Sequence, residues 1–331
     1  MRHVRVVIGF TPFHALFAER LLPTLDGEVF CLFTKGWPRG RRYTRLGLFL
    51  GGGAVLRALS YIASCLYFSM RLHGLFLQGC KVHVYVPHPS NIFSNYLFFS
   101  RRTASVNIYE DGLLNYYDAP SSRGGIRWGL KCLAWMCAIP YRDYQGHLAG
   151  YDARKVESLF VSRAQAVVSR DKVGAVVQLP TTNGGIEPIA RRVLFLDQDV
   201  GLFVSSSQRD ALLARMLAIH PPGEYEYFYK GHHDFVSGDV DMRRLSPELA
   251  SRPAELVVDE LRPEIVVSFF SSALLNIAGA SPRVRCLALA AGEVRISRDG
   301  RLGSLVDIFC AGGVDCLPEG AGDTDSGLPV S

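Results

Sequence analysis

Four short stretches of the chain carry side chains that can do chemistry, each just after a run of β-branched or aromatic residues. In GFTPFHALFAER, Thr11 can cap the following helix and Pro12 takes its favoured first position. The exposed amides there could hold an anion or a sugar hydroxyl, although capping alone accounts for both residues. His14, on the same helix, reads as a packed or surface residue. In VNIYEDGLLNYYD, Glu110 and Asp111 follow a strand directly and Gly112 permits a tight turn. A carboxylate pair in that place can accept a proton or hold sugar hydroxyls, and Asn115, Tyr116 and Tyr117 suit a sugar ring. An acidic turn is also a common solvated loop.

The third stretch, EYEYFYKGHHDF, gathers Lys230, His232 and His233 into a cationic corner. An imidazole there could hydrogen-bond a phosphate leaving group and stabilise its growing charge. Adjacent side chains of an extended segment point to opposite sides, so at most one of the two histidines serves the site. A metal would need further ligands, and only Asp234 is near in sequence. The fourth stretch, EIVVSFFSSALL, puts Ser271 and Ser272 where a helix begins, which is a phosphate site or a plain N-cap. The order of acidic turn, His corner and Ser helix start is more specific than any one member.

The elements that must position these groups alternate strand and helix. Strands Val4 to Ile8, Val29 to Phe33, Val82 to Val86 and Val106 to Tyr109 are interleaved with helices over Pro12 to Leu22 and Asn91 to Phe99, the second capped by Ser90. Periodicity lapses between Gln178 and Pro188, in LPTTNGGIEP, which marks a boundary. Alternation then resumes with strands at Val193 to Leu196, Tyr225 to Tyr229, Glu264 to Ser268 and Val284 to Leu289, and helices at Ser206 to Ile219, Ala254 to Leu261 and from Ser271. This predicts an α/β chain of two Rossmann-like domains, 1–180 and 190–315, with a disordered tail at 320–331. Ligands of such sheets bind beyond the carboxyl ends of the strands.

Length and composition agree with two globular domains: 331 residues, nearly half apolar, with a net charge of +5. Much of the basic excess lies in KGWPRGRRYTR, from Lys35 to Arg45, which fits an anionic membrane surface, a polyanion or no partner. Aromatic and basic residues are not interleaved as in a nucleic-acid groove, so nucleic acid is not expected. The eight cysteines include no C-x-x-C pair, which argues against both zinc and a disulfide framework. The beginning reads as a first strand and not a signal peptide, so a reducing cytoplasm is expected. In the apolar stretch 46–77, Arg57 and Arg71 leave thirteen uncharged residues between them, short of the roughly twenty that span a bilayer. An interfacial helix beside the basic cluster or a buried helix hairpin remains.

Taken together, TPFHALFAER, YEDGLLN, YKGHH and FFSSALL resemble the bacterial sialyltransferases of glycosyltransferase family 52, which are related to polysialyltransferases. The resemblance implies a GT-B fold with its active site in the cleft between two Rossmann-like domains. It implies inverting, metal-independent transfer of sialic acid from CMP-sialic acid to a terminal sugar, galactose for instance, of a surface glycan or glycolipid. The CMP-sugar is then a substrate and no cofactor is needed. His232 would lie near the CMP phosphate with Ser271 and Ser272, and the acceptor near Glu110, Asp111, Gly112 and Asn115. The chain departs from the family in having His233 where Pro usually follows the catalytic His, and His88-Pro89 precedes the acidic turn, so that pair reads as a strand terminator. The resemblance implies a general base at Asp111 or at an aspartate of VLFLDQDVG, where spacing under a family 52 alignment favours Asp199 over Asp197. Transfer of another CMP-activated acid such as Kdo or legionaminic acid, or a non-catalytic nucleotide-binding subunit, fits the same residues. Contact with the inner face of the inner membrane and the oligomeric state, a homodimer included, stay open.

Overall fold

The computed structural model describes residues 2–40, 43–45, 54–121, 127–168, 170–180, 186–232 and 241–317. The chain divides into two compact units. The first comprises Met1–Asn115, Ala119–Ala164 and Ser169–Pro180, and the second Tyr116–Asp118, Gln165–Val168 and Thr181–Ser331.

Unit 1 is built on β1 (His3–Gly9), β2 (Glu28–Phe33), β3 (Thr44–Arg45), β4 (Lys81–Val86), β5 (Thr103–Tyr109), β6 (Val156–Val161) and β7 (Ala175–Gln178). They form one parallel sheet in the order β3-β2-β1-β4-β5-β6-β7. The central strands carry Val and Ile because both faces are covered, as a parallel sheet requires; Val4, Val6, Val7 and Ile8 of β1 are all fully buried. Helices α1 (Pro12–Leu21), α2 (Ala54–Leu77), α3 (Ile92–Phe99) and α4 (Arg127–Met136) belong to this unit. Gly9 ends β1 where a methyl group would lie 2.1 Å from the Phe33 ring, so only glycine lets the strand pass.

Unit 2 repeats the plan with β8 (Ile189–Leu196), β9 (Glu226–Lys230), β10 (Arg243–Arg244), β11 (Pro263–Ser268), β12 (Arg285–Ala288) and β15 (Asp315–Cys316). These pair in parallel in the order β10-β9-β8-β11-β12-β15, while β13 (Arg295–Arg298) and β14 (Arg301–Ser304) make a separate antiparallel hairpin. Helices α5 (Ser206–Ile219), α6 (Pro247–Ala250), α7 (Ala254–Leu261), α8 (Ser272–Ala280) and α9 (Val306–Ala311) complete it. In both sheets the strand order reverses direction beside the first strand, next to β4 in unit 1 and β11 in unit 2. Loops diverge at such a point and leave a crevice at the carboxyl ends.

Two local expectations differ. The cap of α3 is Asn91, whose side chain accepts from Phe93 N–H, because the carboxamide oxygen reaches the free amides from one residue nearer than Ser90. Residues 54–77 form one continuous helix in place of a helix hairpin, and 46–53 lie outside the described residues, as does the tail at 320–331. No described helix is long and apolar enough to cross a membrane.

Replacing Gly9 with Ala should cost about 1–3 kcal/mol through displacement of the packed Phe33 ring, read as a fall in thermal midpoint. Gly74→Ala on α2, where a methyl group meets nothing within 4 Å, should leave it unchanged or raise it.

Candidate active site

At the crevice of unit 1, three polar side chains converge from three chain segments. Asp111 stands two residues past β5, His14 on the first turn of α1, and His88 two residues past β4. His14 is 1 % exposed and its Nε2 lies 2.8 Å from Asp111 Oδ1. His14 Nδ1 accepts the Phe10 N–H at 3.0 Å. That backbone donor needs a lone pair on Nδ1, so His14 is the neutral Nε2–H tautomer and donates to the carboxylate. With both nitrogens committed, His14 has no lone pair for a metal.

His88 is arranged in the same sense. Its Nδ1 accepts the Ser90 N–H at 3.2 Å, which leaves Nε2–H facing Asp111 Oδ2 at 3.8 Å. That separation is too long for a direct hydrogen bond. Phe10 lies against both imidazoles, with ring centroids 6.1 Å from His14 and 5.2 Å from His88. Thr11 caps α1 by accepting the His14 N–H, which fixes the turn that carries the imidazole. Tyr109, fully buried at the end of β5, stacks on Phe17 and donates its hydroxyl to the Ile8 carbonyl at 2.5 Å. This bond ties the end of β5 to β1 and so holds Asp111 opposite α1.

Burial by itself would raise the Asp111 pKa, but the His14 hydrogen bond and the two imidazoles beside it outweigh burial and leave the carboxyl below its ordinary value. His88 is also shifted down, mainly because burial disfavours its cation, with His14 adding to the effect and Asp111 opposing it. The group is therefore a carboxylate faced by two N–H donors at neutral pH.

The remaining residues of the acidic turn point inward. Glu110 is fully buried and accepts the Ser162 N–H at 2.5 Å. Asn115 is also fully buried, and its side-chain oxygen accepts the Asp111 N–H at 2.8 Å. Gly112 sits at φ +62°, a conformation glycine adopts without strain. Tyr116 is fully buried and groups with unit 2. These residues set the turn, and Asp111 is the member of the pair that reaches the surface. His14 and His88 carry no short motif that links them to Asp111. The signal available was their position, each just after a strand that flanks the order reversal.

Unit 2 presents a different set at its own crevice. Asp197, at the end of β8, is buried and saturated: it accepts from the Tyr229 hydroxyl at 2.8 Å and its own neighbour Gln198 N–H at 3.0 Å, and pairs with Arg209 at 3.5 Å. Gln198 joins this loop to the end of β11, accepting from Ser268 Oγ at 3.1 Å and Phe270 N–H at 3.4 Å. Asp199 is exposed and accepts the Gly201 N–H at 3.0 Å. Ser271 caps α8 by accepting the Ala273 N–H, and Ser272 opens the helix. Lys230, half-buried at the end of β9, donates to the Ala250 carbonyl at 2.5 Å, and burial lowers its pKa. His232, two residues on, is exposed, and His233 lies outside the described residues.

No family profile and no curated protein sequence matches this chain. Its fold does match solved structures. An α/β-galactoside α-2,3-sialyltransferase from the luminous marine bacterium Photobacterium phosphoreum superposes with a TM-score of 0.54 at 12 % identity, over 96 % of this chain and 98 % of that one. A UDP-GlcNAc 2-epimerase from Neisseria meningitidis bound to UDP-GlcNAc gives a TM-score of 0.45 at 9 % identity, over 87 % and 82 %. The spinosyn rhamnosyltransferase SpnG, complexed with thymidine diphosphate, gives 0.42 at 14 % identity, over 97 % and 87 %. The chain thus has the GT-B type of α/β architecture, two Rossmann-like units, that the sequence led us to expect.

The depressed pKa values set an acid dependence. His88 contributes stability that is complete above its unfolded value of 6.5 and is lost as the pH falls through its lower folded pKa. Asp111 adds a second loss that starts below 3.8. His88→Gln should therefore flatten the stability profile just below pH 6.5 in chemical unfolding, and an unchanged slope there would contradict the assigned neutral form.

Proposed function

We propose that this chain is an inverting, metal-independent glycosyltransferase that moves sialic acid from CMP-sialic acid to a terminal sugar, such as galactose, of a bacterial surface glycan or glycolipid. The fold of a bacterial sialyltransferase supports the class, and the motifs YEDG, YKGHH and FFSSALL support the donor. The observation that carries the reading is the Asp111 carboxylate, ionised, partly exposed and oriented through Oδ1 by neutral His14.

In this reaction an acceptor hydroxyl approaches Asp111 Oδ2 and His88 Nε2–H together from their solvent side. It donates to the carboxylate and accepts from the imidazole. Asp111 takes the hydroxyl proton as the oxygen attacks the anomeric carbon from the face opposite the nucleotide. The bond from that carbon to the phosphate oxygen breaks, and its electron pair leaves with CMP. A monophosphate leaving group gathers less charge than a diphosphate. The amides opening α8, the Ser271 and Ser272 hydroxyls and His232 can balance it without a metal. The proposed base belongs to unit 1 and the proposed phosphate-holding groups to unit 2. The engaged, buried Asp197 and the exposed Asp199 support Asp111 as the base, where the family resemblance favours Asp199 over Asp197 with Asp111 as the rival. The acceptor lies at the inner face of the inner membrane, with the enzyme attached peripherally.

The test supplies CMP-sialic acid and a lactose acceptor in EDTA and measures CMP release and sialylated product. Activity should persist in chelator. Asp111→Asn keeps an acceptor for the His14 N–H and should lower kcat about 10²- to 10⁴-fold, whereas Asp199→Asn should stay within a few-fold of wild type. The reverse pattern would place the base in unit 2, and loss of activity in EDTA would remove the metal-free mechanism.

A further inference from the structure

Helix α2 buries one face and leaves the opposite one apolar. Cys65, Phe68 and Leu72 are fully buried against the rest of unit 1, with Phe68 edge-on to Phe93 of α3. Across the helix, Leu56, Leu59, Ala63, Leu66, Met70 and Leu77 follow helical spacing and are exposed, Leu59 by 58 % and Met70 by 66 %. From Leu56 to Leu77 the stripe runs for about 32 Å. The end of α4 comes near α2, where burial, with Cys137 just after α4 adding to it, pushes the Cys65 thiol up. Helix α4 exposes Trp128, Trp135 and Met136, the two indoles by 73 % and 83 %. Tryptophan is the side chain that settles at a membrane boundary, apolar in body and wet at one edge.

Charge identifies the occupant. Between Val29 and Tyr109 the chain has ten Lys and Arg residues and not one Asp or Glu, although its total net charge is only +5. Neither α2 nor α4 contains an acidic residue. The stripe ends at a cavity of about 450 Å³ lined by Phe76, Leu77, Gly79, Cys80, Lys81 and Arg102, where two exposed cations stand beside apolar walls and Arg102 lies over the Phe76 ring at 5.7 Å. A second copy of the chain docked through α2 would bring Lys81 and Arg102 of the two copies onto helix faces that carry no acidic residue, with Asp143, paired to Lys131, the acid beside α4. An anionic bilayer is attracted by both the charge and the apolar stripe.

We propose that the exposed faces of α2 and α4 form a peripheral docking surface for an anionic phospholipid bilayer, with Leu59, Met70 and the two tryptophans entering the acyl boundary and Lys81 and Arg102 meeting headgroup phosphates. This specifies the peripheral attachment suggested above and is independent of the donor, the acceptor and the catalytic base. Because no described helix can span the bilayer, α2 lies along it.

The experiment co-sediments the full chain, without substrates, with vesicles of pure phosphatidylcholine or of phosphatidylcholine containing phosphatidylglycerol. Wild type should bind the anionic vesicles, bind pure phosphatidylcholine far more weakly, and be released as salt is raised. Leu59→Glu with Met70→Glu should weaken binding about 100-fold, and Lys81→Glu with Arg102→Glu about 30-fold, both with an unchanged thermal midpoint because all four side chains are exposed. Wild-type binding that is absent, equal on both vesicles, or retained by both variants would overturn the proposal. So would a wild-type dimer in sedimentation velocity that Leu59→Glu with Met70→Glu converts to monomer, since the face would then belong to a second copy. Sialyl transfer plays no part in the readout, so failure of the enzymatic reading would leave these outcomes unaffected.

Discussion

The hydrogen bond from His14 Nε2–H to Asp111 Oδ1 joins the two halves of what unit 1 has to offer chemically, and much of the local structure maintains it. The donor hydrogen is on Nε2 because Phe10 N–H occupies Nδ1. Thr11 fixes the turn of α1, Tyr109 ties β5 to β1, and Asn115 holds the Asp111 amide. Each of these contacts is weak alone, on the order of 1 kcal/mol net. Together they leave one carboxylate oxygen committed and the other directed at His88. A carboxylate in this state combines burial, which strengthens its interactions, with a donor that keeps it ionised.

The two units share a topology and use it differently. Both bring polar side chains to the carboxyl ends of strands that flank the order reversal. In unit 1 the aspartate there is partly exposed and faces two imidazoles. In unit 2 the equivalent buried aspartate, Asp197, is consumed by Tyr229, Arg209 and a backbone amide, and it braces the loop that Gln198 fastens to the end of β11. What unit 2 offers outward is a helix N-terminus with two serines, suited to holding an anion and not to removing a proton. The two crevices thus differ locally, one carrying an ionised carboxylate and the other a serine-capped helix start.

Much of this was legible in the sequence, because β-branched runs and helical apolar spacing are local signals. Helices α5 and α7 and the cores of β1, β2, β4, β5, β8 and β11 could be read directly. Strands β6 and β7 went unread: VESLFV and AVVQ are short and lack clean alternation, and they become strands by pairing with β5 and with each other. Asp111 was legible as a candidate, but its partners were not. His14 is 97 residues away, and a lone histidine on an apolar helix gives no hint of a distant carboxylate. His88 was hidden behind Pro89, which reads as punctuation. Glu110 and Asp111 look equivalent in sequence, and only the alternation of side chains at the end of β5 sends one inward to Ser162 and the other out to the crevice.

The central claim is the protonation state of the His14 and Asp111 pair, and long-range ¹H–¹⁵N correlation spectra of the histidine side chains test it most directly. At neutral pH the account predicts that His14 shows a protonated Nε2 and an unprotonated Nδ1, and that Asp111→Ala perturbs its resonances. A His14 protonated on Nδ1, or an imidazole unaffected by Asp111→Ala, would contradict it.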